Sequence, residues 1–331
     1  MSVARVAGAT DTGRKRRRNE DAFVLQTPLF AVADGMGGPQ AGEVASRLAA
    51  AALEESSIGG SGEEKVVELI QEANRRVHAA ATEDAAHAGM GTTMTVALVE
   101  DGTVVIGHVG DSRAYRWRDG VLEQLTEDHS LVGELLRSGK LSPEEARIHP
   151  QRNVITRAVG NDPDVDVDTY TFPTRDGDVF LLCSDGLFSM VEHEQIEETL
   201  RQHADDLEAA VKTLVEQALK GGGEDNITVV AFEIGAPADG VEELEKTREH
   251  AAPPRPDDDE DTLDELDGVR TSGDTMVLSA AELQSAVARG QAAEPPPVQP
   301  QARRRRGMVA PMLLILLVAL IVVLAVWGLT R

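Results

Sequence analysis

The chain has 331 residues, room for one large domain or two small ones, and its 57 acidic against 32 basic side chains give a formal charge of −25. That balance argues against nucleic acid as a partner. The single cysteine, Cys183, lies in an apolar run, which excludes an internal disulfide and points to a buried core thiol.

Residues 1–235 read as globular, with apolar runs, glycine turns and amphipathic stretches in ordinary proportion. The first residues are polar and lack the apolar core of a signal peptide. A basic run, Arg14, Lys15, Arg16, Arg17 and Arg18, precedes Asn19-Glu20-Asp21. Such a run is more often a solvated surface than a clamp. Arginine nevertheless offers a planar fork for phosphate oxygens, and the acids beside it suit the orienting of metal-bound waters.

Leu29 to Ala33 is an apolar, strand-like run that ends at Asp34, and helical periodicity follows over Ala41 to Glu54 and Glu63 to Glu83. Met94 to Val99, the turn Glu100-Asp101-Gly102 and Thr103 to Val109 predict a hairpin that leads to Asp111. Ala114 to Arg118, the turn Asp119-Gly120 and Val121 to Leu125 predict a second. Val179 to Cys183 is a strand-like run before Asp185. Helical patterns cover His193 to Gln202 and Asp205 to Leu219, and Ile227 to Phe232 begins a strand just after Asp225. Hairpins with amphipathic helices imply antiparallel sheets covered by helices. Neither a G-x-G-x-x-G nor a G-x-x-x-x-G-K-[ST] fingerprint occurs.

From Ala236 the composition shifts to Pro, Ala, Asp and Glu, including the run Asp257 to Asp261 and Pro295 to Pro297. Too little apolar surface is present to offset ordering, so 236–307 is expected to be a disordered linker that ends in the polybasic Arg303 to Arg306. Thr262, Thr271 and Thr275 lie among its acids within reach of a kinase, although an inert spacer is the simpler reading. Residues 308–329 are almost uninterrupted Leu, Val, Ile and Ala, and roughly 20 such residues at about 1.5 Å each cross the ~30 Å of a bilayer core. The arginines before this segment, with only Thr330 and Arg331 after it, predict a single-pass anchor in the inner or cell membrane with residues 1–235 in the cytoplasm. The acidic linker would hold the globular part off anionic headgroups.

Four aspartates at strand ends, Asp34, Asp111, Asp185 and Asp225, carry the chemistry. A β core can hold such carboxylates close together while leaving them open to hard cations, which take oxygen ligands and keep several waters. A carboxylate shared by two divalent ions about 3.5 to 4 Å apart would hold a water acidic enough to supply hydroxide for in-line attack on phosphorus. Gly35 would allow a close approach that turns its carbonyl into a further ligand, and Gly186 would permit a sharp turn.

Seven motifs occur in order: R-x-x-N-E-D (Arg16 to Asp21), A-D-G-M-G-G (Ala33 to Gly38), G-M-G-T-T (Gly89 to Thr93), G-D-S-R (Gly110 to Arg113), H-P-Q-R (His149 to Arg152), C-S-D-G-L (Cys183 to Leu187) and G-G-x-x-D-N-x-T through Asp225, Asn226 and Thr228. In that order they resemble the metal-dependent PPM, or type 2C, protein serine/threonine phosphatases, bacterial branch, over residues 5 to 235. The resemblance implies an α+β fold, a four-layer α/β/β/α sandwich with two central antiparallel sheets. It also implies two Mn²⁺ or Mg²⁺ ions per active site. Asp34 would bridge them, the Gly35 carbonyl would bind one, and Asp185 and Asp225 would bind the other. Glu20 and Asp21 would hold metal waters, Arg16 would hold the substrate phosphate, and Asp111 with Asp185 would form a third, weaker site.

Ser130 to about Asn153 matches a flap beside the active site, with Asn153 where some bacterial relatives place a serine. Met36 stands where many eukaryotic relatives carry a histidine proposed as general acid, so a metal-bound water becomes the expected proton donor. The function implied is hydrolysis of phosphoserine and phosphothreonine on cytosolic proteins, opposing Ser/Thr kinases, with the kinases and their substrates as partners. The alternatives are a non-catalytic phosphoprotein-binding module and a phosphatase of small phosphorylated metabolites.

Overall fold

The computed structural model describes residues 2–37, 41–56, 59–235 and 276–277. The apolar run at 308–329, the arginines before it, Gly38 and the linker threonines lie outside the described residues. Among the described residues no helix is long and apolar enough to cross a membrane.

In chain order the strands are β1 Ser2–Asp11, β2 Asp21–Gln26, β3 Leu29–Met36, β4 Gly91–Thr92, β5 Met94–Glu100, β6 Thr103–Val109, β7 Arg113–Arg118, β8 Val121–Gln124, β9 Val154–Ile155, β10 Asp168–Pro173, β11 Val179–Cys183, β12 Ile227–Gly235 and β13 Met276–Val277. The helices are α1 Ala41–Glu54, α2 Gly62–Glu83, α3 Leu131–Arg137, α4 Pro143–Arg147, α5 Asp185–Phe188, α6 His193–Gln202 and α7 Leu207–Gly221. One sheet runs β1-β12-β11-β7-β8 and the other β10-β6-β5-β3-β2, with β4 on the far end of β3. All pairings in both are antiparallel.

Alternation along the strands sorts the side chains into three apolar layers. Phe30 and Val32 face Phe180, Leu182, Val230 and Phe232 between the sheets, where the Phe30 and Phe232 rings stack at 4.3 Å. Their neighbours Ala31 and Ala33 turn outward onto α1 and α2, with Val96, Leu98 and Val105. Leu181, Cys183, Val229 and Ala231 turn outward onto α6 and α7. Helices, sheet, sheet and helices therefore stack in the order implied by the resemblance, and Cys183 is a buried free thiol, its pKa pushed up to about 12 by that burial.

Several boundaries differ from expectation for physical reasons. The strand expected to stop at Ala33 continues through Asp34 to Met36, because Gly35 and Met36 find partners in Thr92 and Gly91. The last helix starts at Leu207, two residues late, because the Asp206 carboxylate caps it by accepting from the Ala209 N–H at 2.9 Å. Within the stretch expected to be a disordered linker, Met276–Val277 forms a two-residue strand against β9. Thr275 to Leu278 opens an uncharged run that continues to Ala281, and its first residues are β-favouring and apolar.

The segment expected to form the flap begins at Ser130, whose Oγ accepts from the Gly133 N–H at 3.0 Å and caps α3. A reciprocal capping box between Ser142 and Glu145 opens α4. The segment returns through β9, where Ile155 packs with Met36 and Ala158 beside the Asp34 strand.

Candidate functional site

Asp21 opens β2 and stands directly opposite Asp34 on β3 in the antiparallel register. Asp111 lies in the loop after β6, Asp185 opens α5 immediately beyond β11, and Asp225 precedes β12. The tertiary fold thus brings five expected acids to one end of the sandwich, where Asp21, Asp34, Asp111 and Asp185 each feel the charge of Asp225. Burial, then Asp21, Asp185, Asp225 and Asp111 in turn, pushes the Asp34 carboxyl well above its usual range. Burial, then Asp111, Asp225 and Asp21, does the same to Asp185. Asp111 is pushed up to about 7, mainly by burial and the nearby Asp128. Asp34 and Asp185 still keep part of their surface open.

Asp21 is pushed up to about 6 by burial, against the effect of the Thr228 and Ser184 hydroxyls that donate to its Oδ2 at 2.6 and 2.8 Å. Its Oδ1, like Oδ1 of Asp185, is buried with no hydrogen-bond partner. Orphaned carboxylate oxygens inside a ring of like charges fit a hard cation, which takes oxygen ligands. Among the described residues no group of three or more His, Cys, Asp or Glu side chains is already gathered closely enough to hold a metal ion.

The expected phosphate ligand is placed by the same acids. Arg16 pairs with Asp225 through Nε to Oδ1 at 2.8 Å and Nη2 to Oδ2 at 2.9 Å. Burial opposes its charge, but Asp225, Glu20 and Asp34 outweigh it and hold the guanidinium above its usual pKa. Glu20 stands against α1, with its backbone carbonyl accepting from the Gly35 N–H at 3.1 Å. A Cβ on Gly35 would come within 2.1 Å of the Gly42 carbonyl, so only glycine fits there. The role expected for Gly186 is corrected: its φ is not in the left-handed region, and glycine is required because a Cβ would meet the Asn226 carbonyl at 1.9 Å.

The residues that hold this arrangement lay inside the motifs but outside the expected site set. Thr92 Oγ1 donates to the Asp34 carbonyl at 2.9 Å, and the Asp34 N–H donates to Thr93 Oγ1 at 3.0 Å, which explains the paired threonines of G-M-G-T-T. Asn226 Oδ1 accepts from the Glu20 N–H at 2.7 Å while its Nδ2 donates to the Thr12 and Arg18 carbonyls at 2.9 Å each. One side chain thereby fastens the basic loop to the loop of Asp225. Asn226 could have been found from its place directly after Asp225, whereas Thr92 and Thr93 stand at least seven residues from any acid and could have been found only as part of the G-M-G-T-T motif.

Arg113 of G-D-S-R is structural: it pairs with Asp128 at 2.7 Å and lies 3.7 Å over the Phe188 ring. His129 is buried, and its Nδ1 accepts from the Gly110 N–H at 3.1 Å, which fixes the loop before Asp111. His149 Nδ1 makes a local contact, accepting from the Gln151 N–H at 3.2 Å.

Comparison with known proteins gives the same result as the geometry. Residues 12–221 match the protein phosphatase 2C family. The serine/threonine phosphatase stp of Listeria monocytogenes serotype 4b is 44% identical over 236 residues, spanning 68% of this chain and 93% of its own. The serine/threonine protein phosphatase PstP of Mycobacterium tuberculosis is 37% identical over 235 residues, 70% of this chain but 45% of its own. Its crystal structure superposes with a TM-score of 0.66 at 40% identity, covering 70% of this chain and 99% of that one. A catalytic domain of PstP solved with two manganese ions gives 0.65 at 38% identity, covering 70% and 99%. With a family match over residues 12–221 and a relative 44% identical over 93% of its own length, the chain belongs to the protein phosphatase 2C family.

Proposed function

We propose that this chain hydrolyses phosphoserine and phosphothreonine on proteins, among them Ser/Thr kinases and their substrates, with two Mn²⁺ or Mg²⁺ ions at the aspartate ring. The observation that carries the reading is the meeting of Asp21, Asp34, Asp111, Asp185 and Asp225 with the Arg16 fork on Asp225. Asp34, the Gly35 carbonyl, Asp185 and Asp225 would hold the two ions, and Asp111 with Asp185 would hold a third more weakly. Bound there, the cations would supply positive charge against the phosphoryl oxygens and acidify a water.

The chain's own groups do the positioning. Asp21 Oδ1, which has no protein donor, accepts from a water and fixes its orientation, with Glu20 as its companion. Arg16 meets the phosphate oxygens with a guanidinium already oriented by Asp225. Thr92 and Thr93 hold the Asp34 backbone so that little reorganises when charge develops.

The same proposal divides the chain into a catalytic domain at 1–235, a linker at 236–307 and a membrane helix at 308–329, with the catalytic domain on the cytoplasmic side of the cell membrane. Its support is the apolar run and the Arg303 to Arg306 cluster before it. A tether raises the local concentration of membrane-bound kinases.

The test is phosphate release from a phosphothreonine peptide by the full chain in detergent, with Mn²⁺, with Mg²⁺ and with EDTA, beside Asp185→Asn. Metal-dependent turnover lost in the variant is expected. Absence of turnover by folded protein with either metal overturns the reading, and preference for phosphorylated metabolites reassigns the substrate. The anchor is tested by alkaline washing of membranes, which should leave the chain in the pellet; release into the wash rejects it.

A further inference from the structure

β9 is a two-residue strand with a neighbour on each side. On one side Ile155 bridges Ser130 in the antiparallel sense, and the Thr156 N–H donates to the His129 carbonyl at 2.8 Å. On the other, Val154 and Ile155 pair in parallel with Met276 and Val277 of β13. Ile155 also packs with Met36 and Ala158, and Met36 is two residues beyond Asp34. Whatever holds β9 therefore also sets how the flap rests on the strand that carries the central aspartate.

We propose that β9 is a strand-docking edge and that its resident ligand is this chain's own segment at Met276–Val277, which adds a strand in cis and seats the flap on the site. A parallel ladder of two residues is too short to recruit a free peptide. In cis the requirement is lower. About 40 residues separate Gly235 from Met276, and a chain of that length has a root-mean-square reach of roughly 35 Å and an effective concentration near the millimolar range. The segment also differs from the acidic part of the linker: Thr275 to Ala281 carries no charge and no proline, whereas Asp257 to Asp267 is mostly Asp and Glu. The proposal needs no catalytic step, so it stands or falls independently of the phosphatase assignment.

The experiment is amide hydrogen exchange of the full chain in detergent micelles, comparing the wild type with the double variant Met276→Pro/Val277→Pro. Proline removes the N–H groups that a strand contributes to a ladder and lies outside the catalytic domain, whose melting temperature serves as the folding control. The Ile155 amide, whose neighbours Val154 and Thr156 donate to Gln151 and His129 instead, is expected to exchange about tenfold faster in the variant, with the two sheets unchanged and the wild-type protection independent of dilution. Equal exchange in the two proteins overturns the proposal. Protection that falls on dilution would assign the edge to a second copy, and protection that appears only with added phosphopeptide would assign it to substrate; either overturns docking in cis.

Discussion

Arg16 and Asp225 are joined by a two-point ion pair, with contacts of 2.8 and 2.9 Å and about a quarter of each side chain exposed. The cation proposed to meet phosphate is thus held by a carboxylate proposed as a metal ligand. Arg16→Ala should lower kcat/KM for a phosphothreonine peptide by roughly 100-fold, the loss of a charged, forked contact. It should leave the Mn²⁺ requirement unchanged or smaller, because Asp225 loses a competitor. A steep rise in half-saturating Mn²⁺ would instead make Arg16 a support for Asp225.

Removing one acid from the ring should separate stability from activity. Asp185→Asn keeps shape and removes a charge that repels Asp111, Asp225 and Asp21. Turnover should vanish, while the EDTA-treated protein should melt about 2–4 °C higher, the shift that one kcal/mol produces in a domain of this size. Calorimetry with EDTA, beside a phosphate-release assay, checks both halves.

The pH dependence has a definite sign. Asp21 and Asp111, pushed up to about 6 and about 7, bind protons in the folded state at pH values where the unfolded chain, with ordinary aspartates near 3.8, has lost them. Stability therefore falls as pH rises whenever the native state binds more protons. The metal-free protein should be most stable near the acid end of this window and lose stability from about pH 4 to 7, provided other groups stay constant. Saturating Mn²⁺ should flatten the slope, since cation replaces proton as the partner. Melting temperatures across that window, with and without EDTA, decide it.

Asn226→Ala should cost about 1–3 kcal/mol, because it strips partners from the Glu20 N–H and from the Thr12 and Arg18 carbonyls at once. Urea unfolding measures that loss. Activity should fall further than stability accounts for, since the loop of Arg16 loses its fastening to the loop of Asp225.

The aspartates were legible in the sequence because each follows or precedes an apolar run and carries a motif around it. The central hairpins and α1, α2 and α6 were legible from period and turn chemistry. β1 was not: Ser2 to Asp11 mixes small and charged residues, and its partner β12 lies more than 200 residues away. β2 and β10 are edge strands of the second sheet, with only partial burial, so their alternation is weak. The extension of β3 through Asp34 depends on β4, two residues brought across from the far side of α2. Gly186 illustrates the remaining limit, since a glycine required by a distant carbonyl looks identical in sequence to one required by a turn.

The facing of Asp21 and Asp34 across β2 and β3 bears on how the family can vary in length. Side chains alternate along a strand, so one residue inserted between Asp21 and Gln26 would send an acid to the opposite face without altering composition or hydrophobicity. Lineages can lengthen the Thr27-Pro28 turn, but neither arm of that hairpin can gain or lose a residue without breaking the constellation. Sheet register acts here as a ruler for coordination, and gaps in an alignment of homologues should avoid both arms.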